Sequence, residues 1–276
     1  MNARVYYKHS GAVGHGAFVN MTLLGIAGVV GLGALYGYAL HFVPLVYLNF
    51  FITLTYGGLV GLLIGWGGKL GKVRNLGFLA MFGLGFGILA VYTGWVAWIY
   101  ADSGGQLFLY TPADILTFIR GIMRSGSWSI GVWTPTNGWL IAIWCAEAFL
   151  IILASTAAAW GYLSSKPFCE TCELWVETRE SLSPRAPVEH PLEFKQRLER
   201  GDFTPLLNLA KDQYGATAAT KIEILHCPNC RQTNFLTVKS LHFIKRSNGA
   251  EKQDTTTIIE NLIITHSTYQ TLKQQG

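Results

Sequence analysis

Four of the five cysteines fall into two pairs, Cys169-Glu170-Thr171-Cys172 and Cys227-Pro228-Asn229-Cys230. A Cys-x-x-Cys turn presents two thiolates to one ion, and zinc takes four ligands in a tetrahedron. Together Cys169, Cys172, Cys227 and Cys230 would complete a closed, structural zinc site with no open position for catalysis. A second candidate for chemistry is Glu147, the single carboxylate within an otherwise apolar stretch. Burying such a group in a bilayer costs about 3 kcal/mol, which marks it as a candidate proton site, ion ligand or substrate contact. The plainer reading is a Glu hydrogen-bonded inside a helix bundle to Tyr, Thr or a backbone carbonyl. With no Asp, Lys or Arg beside it in the apolar stretches, it forms no proton relay.

The segments Pro167-Phe168-Cys169-Glu170-Thr171-Cys172 and His226-Cys227-Pro228-Asn229-Cys230 resemble the knuckles of zinc-ribbon domains. The resemblance covers the knuckles and the strands beside them, and implies a small α/β ribbon built on one structural zinc. It extends to no other part of the chain. Between the pairs lie 54 residues, against roughly 15–20 in the compact pattern, so an insertion is expected. Rival readings of the thiols differ in what they require. Haem attachment needs a His directly after the second Cys, where Glu173 and Arg231 stand. Disulfides need an oxidising compartment, and a thioredoxin-like pair needs a βαβ setting that neither motif has. A four-thiolate iron–sulfur cluster is compatible with the spacing. His226 either replaces one ligand or faces solvent.

The elements that must position these residues belong to two different materials. Segments 18–41, 45–66, 76–100 and 138–163 are each long and apolar enough to cross a bilayer as helix, and the first three contain no charged residue. The expected fold class is therefore an α-helical membrane bundle of four transmembrane helices, followed by a small α/β zinc-ribbon-like domain. The domain plan is a short N-terminal tail over 1–17, the bundle over 18–163 and the ribbon-like domain over 164–276. Within the loop 102–137, Thr111-Pro112-Ala113-Asp114 is a helix start. Ile115, Leu116, Ile119, Ile122 and Met123 follow at helical spacing. This helix either lies in the headgroup plane or packs over the bundle. Trp128, Trp133 and Trp139 suit an interfacial aromatic belt.

In the C-terminal domain, Lys221–Leu225 reads as a strand entering the second knuckle. Phe235 to Ile244 and Thr255 to Thr265 read as a hairpin turned at Asn248-Gly249. The insertion, 181–220, carries one helical stretch from Leu192 to Arg200, ended by Gly201, and a second from Thr204 to about Asp212. The last ten residues are polar and are expected to fray.

Charge sets orientation rather than partner. Of the net +5, residues up to Leu163 hold seven basic and three acidic side chains, and the remainder holds 14 against 13. The C-terminal domain thus lacks a basic stripe, which speaks against nucleic-acid binding. Arg4, Lys8, Lys69, Lys72, Arg74 and Lys166 flank the spans on one side, with Lys69, Lys72 and Arg74 suited to headgroup contact. By the positive-inside rule both termini face the cytoplasm, in a plasma membrane or a bacterial inner membrane. Gly33/Gly37, Gly57/Gly61/Gly65 and Gly83/Gly87 stand four apart, the spacing of close helix contact within one bundle or between two copies.

No catalytic constellation emerges, and the chain is not expected to be an enzyme. The leading expectation is a multi-pass membrane protein displaying a zinc-stabilised cytoplasmic module to a cytoplasmic protein partner. The alternatives are a small transporter or channel using Glu147 with a regulatory tail, and a membrane thiol-redox protein.

Overall fold

The computed structural model describes residues 5–275 apart from 44, 130, 131, 133, 212–216 and 246–250. Arg4, Trp133 and the Asn248-Gly249 turn lie outside the described residues. The chain forms two compact units, Ser10–Ser165 in one and Lys166–Gly276 with Met1–His9 in the other.

The first unit contains helices α1 (Ala17–Phe42), α2 (Val46–Leu70), α3 (Leu76–Asp102), α4 (Pro112–Ser125) and α5 (Asn137–Ser164). All but α4 are long and apolar enough to span a membrane. The second span runs on past residue 66 because Gly67 and Gly68 continue the helix, and the Gly71 N–H closes it on the Gly67 carbonyl at 2.9 Å. Helix α3 starts where Asn75 Oδ1 accepts the Phe78 N–H, and α4 where Thr111 Oγ1 accepts the Asp114 N–H. Both are side-chain caps that satisfy otherwise orphaned donors.

The bundle is apolar on its outer faces and encloses two buried hydroxyls among its apolar core residues. Thr53 and Ser155 are fully buried, while Leu23, Val30, Ile88 and Leu153 are at least half exposed. Such a surface suits lipid, where apolar faces carry no penalty. The spaced glycines are spent on contacts between these helices. A Cβ on Gly57 would lie 2.5 Å from the Ile151 carbonyl oxygen, and one on Gly83 2.9 Å from that of Ser155. Ser155 Oγ donates to the Gly83 carbonyl at 2.8 Å, so α2, α3 and α5 meet backbone to backbone around one buried hydroxyl. Helix α4 packs over the bundle end, with Ile115 buried and Phe118 set edge-on to Trp98.

The second unit is α/β, and it is a folded body rather than a tail. Its elements are β1 (Phe168–Cys169), β2 (Leu174–Trp175), β3 (Thr178–Ser181), α6 (Pro191–Glu199), α7 (Thr204–Leu207), β4 (Ala218–His226), β5 (Asn234–Lys245), β6 (Glu251–Ile264) and α8 (His266–Gln275). β1 and β2 form a two-stranded ribbon, and β3-β4-β5-β6 an antiparallel sheet in that order. Strand alternation divides the sheet's faces. Ile222 and Ile224 of β4 with Leu236 and Val238 of β5 form one core with Phe194 and Leu198 of α6 and Tyr269 and Leu272 of α8. Leu225 and Phe235, paired across β4 and β5, turn the other way and pack with the cysteines.

Three expectations change here. The final residues do not fray: α8 buries Tyr269 and Leu272, one turn apart, and Lys273 and Tyr269 both bond Glu180 of β3. Two apolar positions suffice to anchor a polar helix when they share a face. The second insertion helix stops at Leu207 rather than near Asp212, because Lys211 is drawn into a β-bridge with Arg185. Lastly, residues 5–9 belong to the α/β unit. The Ile263 N–H donates to the Val5 carbonyl and the Tyr7 N–H to the Asn261 carbonyl, extending the sheet beyond β6.

Candidate metal centre and membrane cavity

Each Cys-x-x-Cys turn is a short reversal of the chain beside a strand. The first leaves β1 and returns as β2; the second joins β4 to β5. Both close in the same way, with the residue after the second cysteine in the left-handed region: Glu173 at φ 52° and Arg231 at φ 55°. In the second turn the Arg231 N–H bonds the Cys227 carbonyl at 3.1 Å, and the Cys227 N–H bonds Thr233.

The 54-residue separation is bridged by topology. β3 leaves the first knuckle and β4 enters the second, and the two pair antiparallel from Thr178↔His226 to Ser181↔Glu223. The insertion is therefore the connection between two neighbouring strands, and its length does not part the knuckles. The ligand atoms of Cys169, Cys172, Cys227 and Cys230 all lie within 4.8 Å of one another. The Cys169 and Cys230 sulfurs are 3.7 Å apart, against about 3.8 Å for a tetrahedron edge when zinc–sulfur bonds are about 2.3 Å. Cys169 and Cys227 are buried, and Tyr7, Val176, Leu225 and Phe235 pack around the cluster. The four cysteines are thus positioned to bind one metal ion. All five cysteines are free thiols.

The cluster's own electrostatics favour a cation. Desolvation and the three neighbouring thiols push Cys172 up to about 12, while the Gln232 backbone N–H pulls Cys230 down to about 6. Thiolates crowded this closely repel, and a bound cation removes that repulsion. His226 neither joins the cluster nor faces solvent. It lies on the opposite side of β4, buried, with its ring 5.4 Å from that of Tyr269. Adjacent strand residues point to opposite faces, so a His beside a ligand Cys is directed away from the ion.

On the same face of the sheet as the cysteines, Glu223 is 2% exposed and held by three cations. Lys221, Lys239 and Arg179 reach it at 2.8, 2.9 and 3.3 Å. Burial alone would raise its pKa, but the bonds from Lys221 and Lys239 outweigh it and hold the carboxyl below its ordinary value. This network escaped sequence reading, because alternating Lys and Glu in a strand looks like any solvated face.

Within the membrane bundle, Glu147 lines a cavity of about 250 Å³ together with Tyr36, Asn49, Trp95, Trp98 and Trp144. Trp128 also lines it. The cavity lies where α1 and α3 end and α2 and α5 begin. At that end His41 Nδ1 stands 3.5 Å from Asp102 Oδ1, both partly exposed. Cys145 is exposed on the bundle's outer side. Lys69, Lys72 and Arg74 occupy the opposite end, where the Arg74 backbone pairs with Gly11 and Ala12.

No family model matches this chain, and no curated protein or solved structure matches it significantly. What the geometry itself defines is four helices long and apolar enough to cross a membrane and a unit whose four cysteines are positioned to bind a metal ion.

Proposed function

We propose that this protein is a multi-pass membrane protein whose C-terminal unit is a zinc-ribbon-like module, stabilised by one structural zinc and used for protein–protein contact at the cytoplasmic face. The observation that carries this reading is the meeting of four thiols within 4.8 Å of one another on two matching turns, with Cys169 and Cys230 at 3.7 Å. A closed set of four thiolates leaves zinc no free position, so its work is to hold the fold. Both termini on one side are supported by the shared unit of residues 5–9 and 166–275, which fits an even number of crossings. Lys69, Lys72 and Arg74, clustered at the bundle end where α1 begins, support a cytoplasmic assignment for that side.

Metal analysis of the purified full chain should find about one zinc per protein. Iron with a visible charge-transfer band, or reversible thiol–disulfide cycling, would replace this reading. A cytoplasmic partner should crosslink to wild-type protein and be lost when Cys227 and Cys230 become Ser.

A small transporter or channel is the second reading, favoured by the cavity around Glu147. Its test is pH-dependent flux in liposomes, which Glu147→Gln should abolish.

A further inference from the structure

The cavity in the bundle carries carboxylates on its wall with no Lys or Arg to match them. Glu147 has no hydrogen-bond or ion-pair partner among the described residues, and Asn49 Oδ1 is buried without one. Of the hydroxyls on the wall, that of Tyr36 is taken, its Oη lying 3.3 Å from Thr53 Oγ1. No Lys or Arg is among the residues lining the cavity, and its partly exposed His41 stands beside Asp102. A carboxylate placed at this depth is costly until a cation joins it. Glu147 sits ten residues into α5, about 15 Å along the helix axis.

The rest of the wall is aromatic. Trp95 stands perpendicular to both Trp144 and Trp98, with ring centroids 5.1 and 5.6 Å apart. The three indoles form corners rather than a face-to-face stack. Indole is the strongest of the side-chain rings in attracting a cation to its face. A hard metal ion, by contrast, takes six or more oxygen ligands; with Asp102 beside His41 and Tyr36 beside Thr53, the lining side chains left to offer oxygen are Asn49, Ser127 and Glu147.

We propose that this cavity is a binding site for a small organic ammonium ion, its charge paired with Glu147 and its alkyl groups held against Trp95, Trp98 and Trp144. The size agrees, because 250 Å³ falls just below the range of about 300–1,000 Å³ for drug-sized ligands. The ligand supplies the positive charge that the wall lacks. This names a ligand class for the second reading above. Binding is measured here without flux, so failure to bind and failure to transport are separate results.

The experiment is calorimetric titration of the full-length protein in lipid nanodiscs with choline chloride. Its neutral isostere, 3,3-dimethylbutan-1-ol, is titrated in parallel. Choline should bind saturably and the isostere should not. Glu147→Gln should weaken choline binding about tenfold, and Trp144→Leu by a similar factor. Equal binding of choline and the isostere would overturn the proposal, because charge would then play no part. So would choline failing to bind the wild-type protein, or displacement of choline by equimolar sodium. The comparison of choline with its isostere needs no variant, so it stands even if a substitution disturbs folding.

Discussion

Two carboxylates, one buried in the sheet and one on the wall of the bundle cavity, have opposite surroundings. Glu223 in the sheet is enclosed by Lys221, Lys239 and Arg179, each within 3.3 Å. Glu147 in the bundle has no cation beside it and opens on a cavity. Where a buried charge is matched by the protein's own side chains, it is part of the architecture. Where it is unmatched and open to a cavity, the missing partner comes from outside. The same contrast holds for the cysteines: four converge on a single point, and Cys145 stands alone on the bundle's surface.

The largest expected effect separates the two units. Removing metal from the full-length protein with a strong chelator should abolish the order of the knuckles, since structural zinc supplies about 10 kcal/mol or more. The membrane helices should be unaffected. Circular dichroism with thiol-labelling of Cys169 and Cys227 reads both, and a bundle that melts with the metal would show that the units are not independent.

Leu272→Ala comes next. It should destabilise the α/β unit by about 3 kcal/mol, as expected for a leucine truncated in a packed core. An unchanged denaturant midpoint would return the C-terminal residues to a frayed state.

Glu223→Gln should cost about 2 kcal/mol at neutral pH, because three cations lose a charged acceptor. The sign of its pH dependence follows from the lowered pKa. The contribution is complete above about pH 4.3, the ordinary glutamate value, and is lost as pH falls through the lower folded-state value. Stability curves of wild type and variant should therefore converge in acid. A gap that persists there would mean that the three cations matter through packing rather than charge. Glu147→Gln should show no comparable loss at any pH, since no cation is left behind.

Arg231→Gly should change stability least, by a gain of about 0.5 kcal/mol. Relief of the left-handed backbone slightly exceeds the entropy that glycine adds to the unfolded chain. Thermal unfolding would register it as a small rise, and a loss would mean that the Arg231 side chain itself contributes.

Local chemistry made much of this protein legible from sequence. Segments near 18–41, 76–100 and 138–163 are helices within two residues of those limits, because length and apolarity alone decide what can satisfy its backbone in lipid. Thr111 and Asp114 announced α4, and Gly201, at φ 85°, ended α6, because caps and left-handed turns are written in one or two residues. The four clustered cysteines were readable for the same reason.

Other features depended on residues far apart in the chain. His226 beside Cys227 resembles a ligand until strand alternation turns it to the other face. The polar final helix and the residues before α1 look dispensable until Leu272 and Tyr7 are seen packed on the sheet. The cavity draws Tyr36, Asn49, Trp95 and Glu147 from four different helices.

By itself the sequence determined the four apolar spans, the two Cys-x-x-Cys pairs and the standing of Glu147 as the one carboxylate in its span, since each depends on composition or spacing within one segment. Only the tertiary structure decided that the two cysteine pairs face a common point across 54 residues, through the pairing of β3 with β4. It also decided that Glu223 is matched and Glu147 is not. Hydrogen-bonded register and helix packing set which distant side chains meet, and neither is encoded in any single stretch of chain.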